Sequence, residues 1–163
     1  MSDSYAESIV NYATAVGDAQ KNRYVFPIPE GYNYSFTNDW GAPRGNGTRK
    51  HKGNDIMVDY PPGSTPAVSV TYCRVSTVAS GGNAGNYLFL EDLNNPGNFY
   101  AYMHMHEICV QEGQIVMPGQ QVGLVGDTGN ARGGQPHIHF ELHNPRGVQH
   151  NPYQFLKDIE ANK

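Results

Sequence analysis

Pro136-His137-Ile138-His139-Phe140-Glu141-Leu142 is the stretch whose pattern decides the fold. In an extended chain successive side chains point to opposite faces, so residues i and i+2 share one. His137 and His139 then reach one common site, while Ile138 and Phe140 face a core. This is the pattern of a half-buried strand, and similar segments lie upstream. Ile56 to Val58, Ala67 to Val78, Tyr87 to Leu90, Tyr100 to Met105 and Val122 to Val125 are rich in β-branched or aromatic residues and bounded by Gly, Pro or Asn. Residues 30–50, rich in Gly, Asn, Thr and Arg, read as a long loop, and 81–98 carries two further loop stretches, Asn83 to Asn86 and Asn94 to Asn98. Helical signals stand only at the two ends. Ser4-x-x-Glu7 reads as a capping box before Tyr5, Ile9, Tyr12 and Val16. Asn151 and Pro152 suit the start of a helix whose apolar side is Phe155, Leu156 and Ile159. The expected architecture is mainly β (α+β), with short helices at both termini. Residues 1–22 form a helix or linker and 23–163 the domain proper.

A chain of 163 residues suits one core. Nineteen Gly and eleven Pro favour short strands and frequent turns over a helical bundle. A net charge of −4 argues against nucleic acid as a partner, since such a domain needs a basic stripe. No apolar run approaches the roughly 18 residues of a transmembrane segment. Met1-Ser2-Asp3-Ser4 opens with an acid and no apolar run follows, so no export signal is expected in this sequence. Cys73 and Cys109 have no zinc-knuckle spacing; two small buried thiols and one disulfide both remain open.

Seven histidines are present, and their placement carries the chemistry. His51-x-x-x-Asp55, with Gly53 between, leads into Ile56-Met57-Val58; if extended, it puts both side chains on one face. Two imidazoles and a carboxylate make a neutral-nitrogen and hard-oxygen ligand set. Three protein ligands leave one tetrahedral position open, which separates catalytic from structural zinc. Zinc in such a site lowers the pKa of its water towards ~7. His104-x-His106 is a second pair. On a regular strand the two share a face with each other and with Tyr100 and Tyr102, as groove-lining or core residues. His143 and His150, beside Asn144-Pro145 and Asn151-Pro152, read as exposed turn residues.

Taken in order, these motifs resemble the lysostaphin-type (M23, LytM-domain) zinc metallopeptidases. The resemblance rests on His51-Lys52-Gly53-Asn54-Asp55-Ile56, Pro62-Gly63-Ser64-Thr65-Pro66, Tyr102-Met103-His104-Met105, the glycine-punctuated run from Gly113 to Gly129, Pro136-His137-Ile138-His139-Phe140-Glu141 and Asn151-Pro152. It covers roughly residues 24–156. It implies a compact antiparallel β-sheet domain with an open groove and one catalytic Zn²⁺, and the Asn83 to Asn86 and Asn94 to Asn98 stretches would then be loops at the groove rim. The implied function is that of a zinc metalloendopeptidase, a hydrolase of peptide bonds in bacterial cell-wall peptidoglycan. By position, His51, Asp55 and His139 would bind the metal, and His104 and His137 would be the catalytic pair. His137 is the preferred base and His104 the oxyanion partner, although the sequence allows the roles to be exchanged.

The chain departs from the family pattern in one respect. Several members carry a Tyr shortly before the first His ligand, whereas this stretch reads Gly45-Asn46-Gly47-Thr48-Arg49-Lys50. Tyr34 and Tyr60 are replacements by composition only. The departure gives weight to the alternative of a non-catalytic LytM-type wall-binding or regulatory module. Glu141 would orient a histidine or make a structural ion pair. Arg44, Arg49, Lys50 and Lys52 would form a solvated loop, or a groove wall that attracts peptide carboxylates. The resemblance also implies a peptidoglycan peptide as substrate and action outside the cell or in its envelope. The parent would be a secreted protein, monomeric or attached to other modules, or a phage-delivered lysin.

Overall fold

β-branched and aromatic residues recur at alternate positions through the middle of the chain, and they build a sheet with one buried face. The computed structural model describes residues 20–162. The helix expected around Ser4 to Val16 lies outside them. The strands are β1 (Tyr34–Ser35), β2 (Pro43–Arg44), β3 (Arg49–Lys50), β4 (Asn54–Val58), β5 (Pro66–Val68), β6 (Cys73–Gly81), β7 (Gly85–Asp92), β8 (Phe99–Ile108), β9 (Ile115–Val116), β10 (Gln121–Val125), β11 (His137–His143) and β12 (Gln149–His150). One helix, α1 (Tyr153–Ala161), follows them. The main sheet runs β1-β4-β11-β8-β7-β6-β9; β10 joins β8 and β5, β12 joins β11, and β2–β3 forms a separate ribbon. The pairings are antiparallel, so the mainly β architecture read from the sequence holds.

The core lies on one face of the four central strands. Ile56, Val58, Leu88, Leu90, Tyr100, Tyr102, Ile138 and Phe140 are all buried there. α1 covers them with Leu156 and Phe155, whose ring stacks on Tyr100 at 5.5 Å. Pro152 rather than Asn151 takes the N-cap position of α1, and Asn151 just before it ties down the start of the helix, its Oδ1 accepting from the Tyr153 N–H at 3.1 Å. Tyr102 is pinned inside by two bonds, donating to the Val68 carbonyl at 2.8 Å and accepting from the Val70 N–H at 3.1 Å. Burying a ring of this size contributes about 2–3 kcal/mol.

Three expectations are corrected. Ala67 to Val78 is two strands, because Ser69 and Thr71 break the alternation. The Ser69 hydroxyl donates to the Thr71 carbonyl at 2.7 Å, a local bond that competes with a ladder. Residues 30–50 are not all loop, for they hold β1, β2 and β3. The Asn94–Asn98 loop is tied away from the groove by Asp92, which accepts from the N–H groups of Asn94 and Asn95 at 2.8 and 3.1 Å. Both cysteines are free, Cys73 buried and Cys109 exposed.

Candidate active site

The pairing register assembles the site. β11 lies between β4 and β8, and His139 stands opposite both Asp55 and Met103. Residues directly opposite in a ladder hold their side chains within about 5 Å, so these three abut on the face away from the core. His51 arrives from the segment before β4. Its N–H donates to the Ala42 carbonyl and its carbonyl accepts from the Gly41 N–H, both at 2.8 Å. The turn between His51 and β4 lies so close to β11 that a side chain at Gly53 would begin 2.4 Å from the Phe140 carbonyl and 2.9 Å from His139 Nε2.

His51 Nε2 and His139 Nδ1 each stand 3.2 Å from Asp55 Oδ1. Ligand atoms of the three residues all lie within 4.8 Å of one another. Two atoms about 2.1 Å from a tetrahedral zinc are about 3.4 Å apart, so the spacing suits such an ion. The donor chemistry suits it too. His51 Nε2 is buried with no hydrogen-bond partner, an orphan that a cation would satisfy. His139 Nε2 donates to Glu141 Oε2 at 2.8 Å, so in the neutral ring, the form that binds a cation, Nδ1 carries the lone pair towards Asp55. Burial alone would raise the Asp55 pKa, but the imidazoles of His139, His51 and His137 around it outweigh that and hold this carboxyl well below the usual range. Burial likewise would lower His139, yet its bonds to Asp55 and Glu141 push it up to about 9.

His104 and His137 stand beside this trio, their rings 4.9 Å apart. His137 Nε2 is 3.8 Å from Asp55 Oδ1. Each ring faces a backbone carbonyl through Nδ1: His104 that of Thr128 at 2.9 Å, His137 that of Gln135 at 3.0 Å. A carbonyl only accepts, so both Nδ1 atoms carry hydrogen and both Nε2 atoms are acceptors in the neutral ring. Burial, and then the charge of His137, lower the His104 pKa to about 4.

His104 does not share a face with Tyr102 or His106, contrary to the regular-strand expectation. Its φ is +65°, in the left-handed region rare for a side-chain-bearing residue. The ladders on both sides shift register here, between Asn86 and Leu88 and between Leu124 and Val125. β8 therefore bulges, Met103 and His104 both face the groove, and Tyr102 and Met105 both enter the core. His106 is turned away, its ring against Gly63. Tyr100 and Tyr102 are core residues. His143 is no turn residue: it ends β11, with Nε2 2.8 Å from Glu141 Oε1.

The groove has a volume of about 770 Å³. The β2–β3 ribbon makes one wall, with Arg44, Gly45, Thr48 and Arg49; Asn83–Ala84 and Asn130–Ala131 make the other. Two further residues stand beside the candidate ligands: Asp39, which carried no sequence signal, and Arg44, expected only as part of the basic loop. Asp39 Oδ2 lies 3.5 Å from His51 Nε2 and accepts from the Asp55 N–H at 3.3 Å. Arg44 Nη2 donates to Asp55 Oδ2 at 3.3 Å. Asp39 sits sixteen positions before Asp55, and only the folded loop brings it near. Tyr34 and Tyr60 are elsewhere: Tyr34 donates to Glu160 of α1, and Tyr60 packs edge-on against Tyr32.

Residues 49–152 match the family profile described as peptidase family M23. The L-Ala–D-Glu endopeptidase of Bacillus subtilis is 30% identical over 155 residues, covering 90% of this chain and 47% of that protein. The chain thus spans under half the length of that relative. Among solved structures, the catalytic domain of the antimicrobial peptidase lysostaphin from Staphylococcus simulans superposes with a TM-score of 0.65 at 26% identity, covering 77% of this chain and 93% of that one. A zinc-containing peptidase from Vibrio cholerae gives a TM-score of 0.62 at 28% identity, over 79% of this chain and 39% of that one.

Proposed function

Because the chain belongs to peptidase family M23, we propose that it is a metalloendopeptidase that hydrolyses peptide bonds in bacterial peptidoglycan, with zinc held by His51, Asp55 and His139. The observation that carries this reading is the orphaned, buried His51 Nε2 facing Asp55 and His139 on the floor of an open groove. The zinc-containing peptidase and the L-Ala–D-Glu endopeptidase among its relatives agree with it. The relative that aligns along most of this chain cuts between L-Ala and D-Glu, so that stem-peptide bond is the one assigned here. The polymer lies outside the cytoplasmic membrane, which places the work in the envelope or beyond it. Among the described residues no helix is long and apolar enough to cross a membrane.

When bound, zinc would polarise the scissile carbonyl and acidify a water in its open position. The protein's own groups do the rest. His137 and His104 both present an unprotonated Nε2, so each begins as a proton acceptor. His104 is 7% exposed and burial keeps it neutral, whereas His137 stands at the groove with Nε2 3.8 Å from Asp55 Oδ1. His137 is therefore the base. It takes the proton of the attacking water at Nε2 and returns it to the leaving amine. His104, expected as the oxyanion partner, presents an acceptor Nε2 in its neutral ring, so its role is instead to accept a hydrogen bond from the water and keep it oriented. Arg44 and Asp39 hold Asp55 from its other side.

Mass spectrometry of peptides released from purified sacculi tests the reading. Release should stop with a chelator, return with zinc, and be lost in His137→Ala, which should still bind zinc. A zinc-loaded wild-type protein that binds sacculi but releases nothing would instead fit the wall-binding module.

A further inference from the structure

The basic residues of the 44–52 stretch separate in the fold. Lys52 lies over the Trp40 ring at 5.4 Å, and Lys50 stands opposite Pro43 on the ribbon. Arg44 and Arg49 stand directly opposite each other, and both line the groove. Like charges opposite one another in a ladder destabilise it, so the pair works against the ribbon unless both are neutralised. Arg44 is neutralised, with Asp55 at 3.3 Å and Asp39 at 3.6 Å. Arg49 has no carboxylate partner among the described residues. The groove's other carboxylate is already committed: Glu141 accepts from His139, His143 and Gln149, each at 2.8 Å. The facing wall, Asn83–Ala84 and Asn130–Ala131, carries no charge.

The turn holds Arg49 in place. Gly45, Asn46 and Gly47 all have positive φ, and the Thr48 hydroxyl donates to the Gly45 carbonyl at 2.6 Å. The Arg49 Nε lies 3.5 Å from where a side chain at Gly45 would begin, so the guanidinium stem rests on the bare glycine. An uncompensated guanidinium on a stiff wall, beside the site assigned to the scissile bond, is a planar receptor for a carboxylate.

We propose that Arg49 is the core of a carboxylate-binding subsite, which selects peptides with a free carboxylate on the residue flanking the bond to be cut. This rests on the hydrolase reading above. The D-Glu residue of a γ-linked stem has such a group, its free α-carboxylate, and amidation removes the charge.

The test uses two synthetic tripeptides, L-alanyl-γ-D-glutamyl-L-lysine with the α-carboxylate free or as the carboxamide, against the zinc-loaded protein and its Arg49→Gln and Arg49→Lys variants. The wild type should prefer the free acid by roughly tenfold or more in kcat/KM, mostly through KM, as a charge-assisted hydrogen bond allows. Arg49→Gln should bring the ratio near one, and Arg49→Lys should lie between. Arg49 is exposed, so the variants should melt at or slightly above the wild type. A wild-type ratio near one, or a ratio unchanged in Arg49→Gln, overturns the subsite. Binding of the same two peptides by titration separates the two readings. If neither peptide nor sacculi are cut, the hydrolase reading falls. The subsite then stands or falls on whether Kd still favours the free acid.

Discussion

Glu141 shows what one buried carboxylate does for the site. It is 6% exposed, and burial alone would raise its pKa. Hydrogen bonds from His139, His143 and Gln149 outweigh that and hold it down to about 2, against an ordinary 4.5. The folded value lies below the unfolded one, so its stabilising effect is complete above about pH 4.5 and is lost as pH falls through 2. In the metal-free protein Glu141→Gln should therefore flatten the acid limb of a stability curve, followed by urea unfolding from pH 6 to 2. The same substitution weakens the bond that keeps hydrogen on His139 Nε2 and leaves Nδ1 for the metal. Zinc affinity should fall about 10–100-fold, as for other partners of metal-bound imidazoles. Unchanged affinity in a competition titration with a chromophoric chelator would reduce Glu141 to a structural ion pair. The H-x-H-x-E spacing already put all three side chains on one face. Which nitrogen each ring offers depends on the carbonyls and carboxylates that the fold brings to it, and spacing does not encode these.

At the scale of elements, the decisive feature is the bulge of β8, and Thr128 is its clamp. The Thr128 hydroxyl donates to the Met105 carbonyl at 2.8 Å and accepts from the Asn86 N–H at 3.0 Å, while its own carbonyl takes the His104 ring. A side chain at Gly129 would begin 2.4 Å from the Asn83 carbonyl, so the two turns forming the neutral wall pack backbone to backbone. Holding a non-glycine residue at φ +65° costs of order 1–3 kcal/mol, and this clamp offsets it. Thr128→Val removes both hydroxyl bonds and should destabilise by about 1–3 kcal/mol. Beyond that loss, hydrolysis should fall about tenfold or more with zinc content unchanged, the misplacement effect expected of a positioning group. Nitrogen-15 shifts of the His104 ring should show a mixture of tautomers, and Thr128→Ser should restore a single one. A Val variant with reduced stability but one intact tautomer would make Thr128 structural only. The bulge explains why alternation read β11 correctly and β8 wrongly: β11 pairs regularly with both neighbours at the site, whereas β8 changes partner from β11 to β10 at His104.

Across the whole molecule, the strands, the C-terminal helix and the core face of β11 were legible because each follows from a local period. The β2–β3 ribbon was not, since two residues on each side of a turn give no period to detect. Asp39 was missed for a related reason, because a loop residue reaches the site only through tertiary contacts. The candidate ligands also come from distant parts of the chain, Asp55 and His139 being 84 positions apart. An ion held there ties β4 to β11 and fixes the loop before β4, while an unfolded chain holds those groups far apart. Binding to the folded state alone stabilises by about 2.7 kcal/mol when free zinc is a hundred times Kd. For a chain of this size each kcal/mol moves Tm by about 2–4 °C, so zinc should raise Tm by about 5–11 °C over the chelated protein. His51→Ala and Asp55→Ala should abolish the shift, and His137→Ala should keep it. That pattern separates ligand from base without any activity measurement. A shift lost in His137→Ala but retained in His51→Ala would move the metal one histidine along β11 and leave His139 as the proton acceptor.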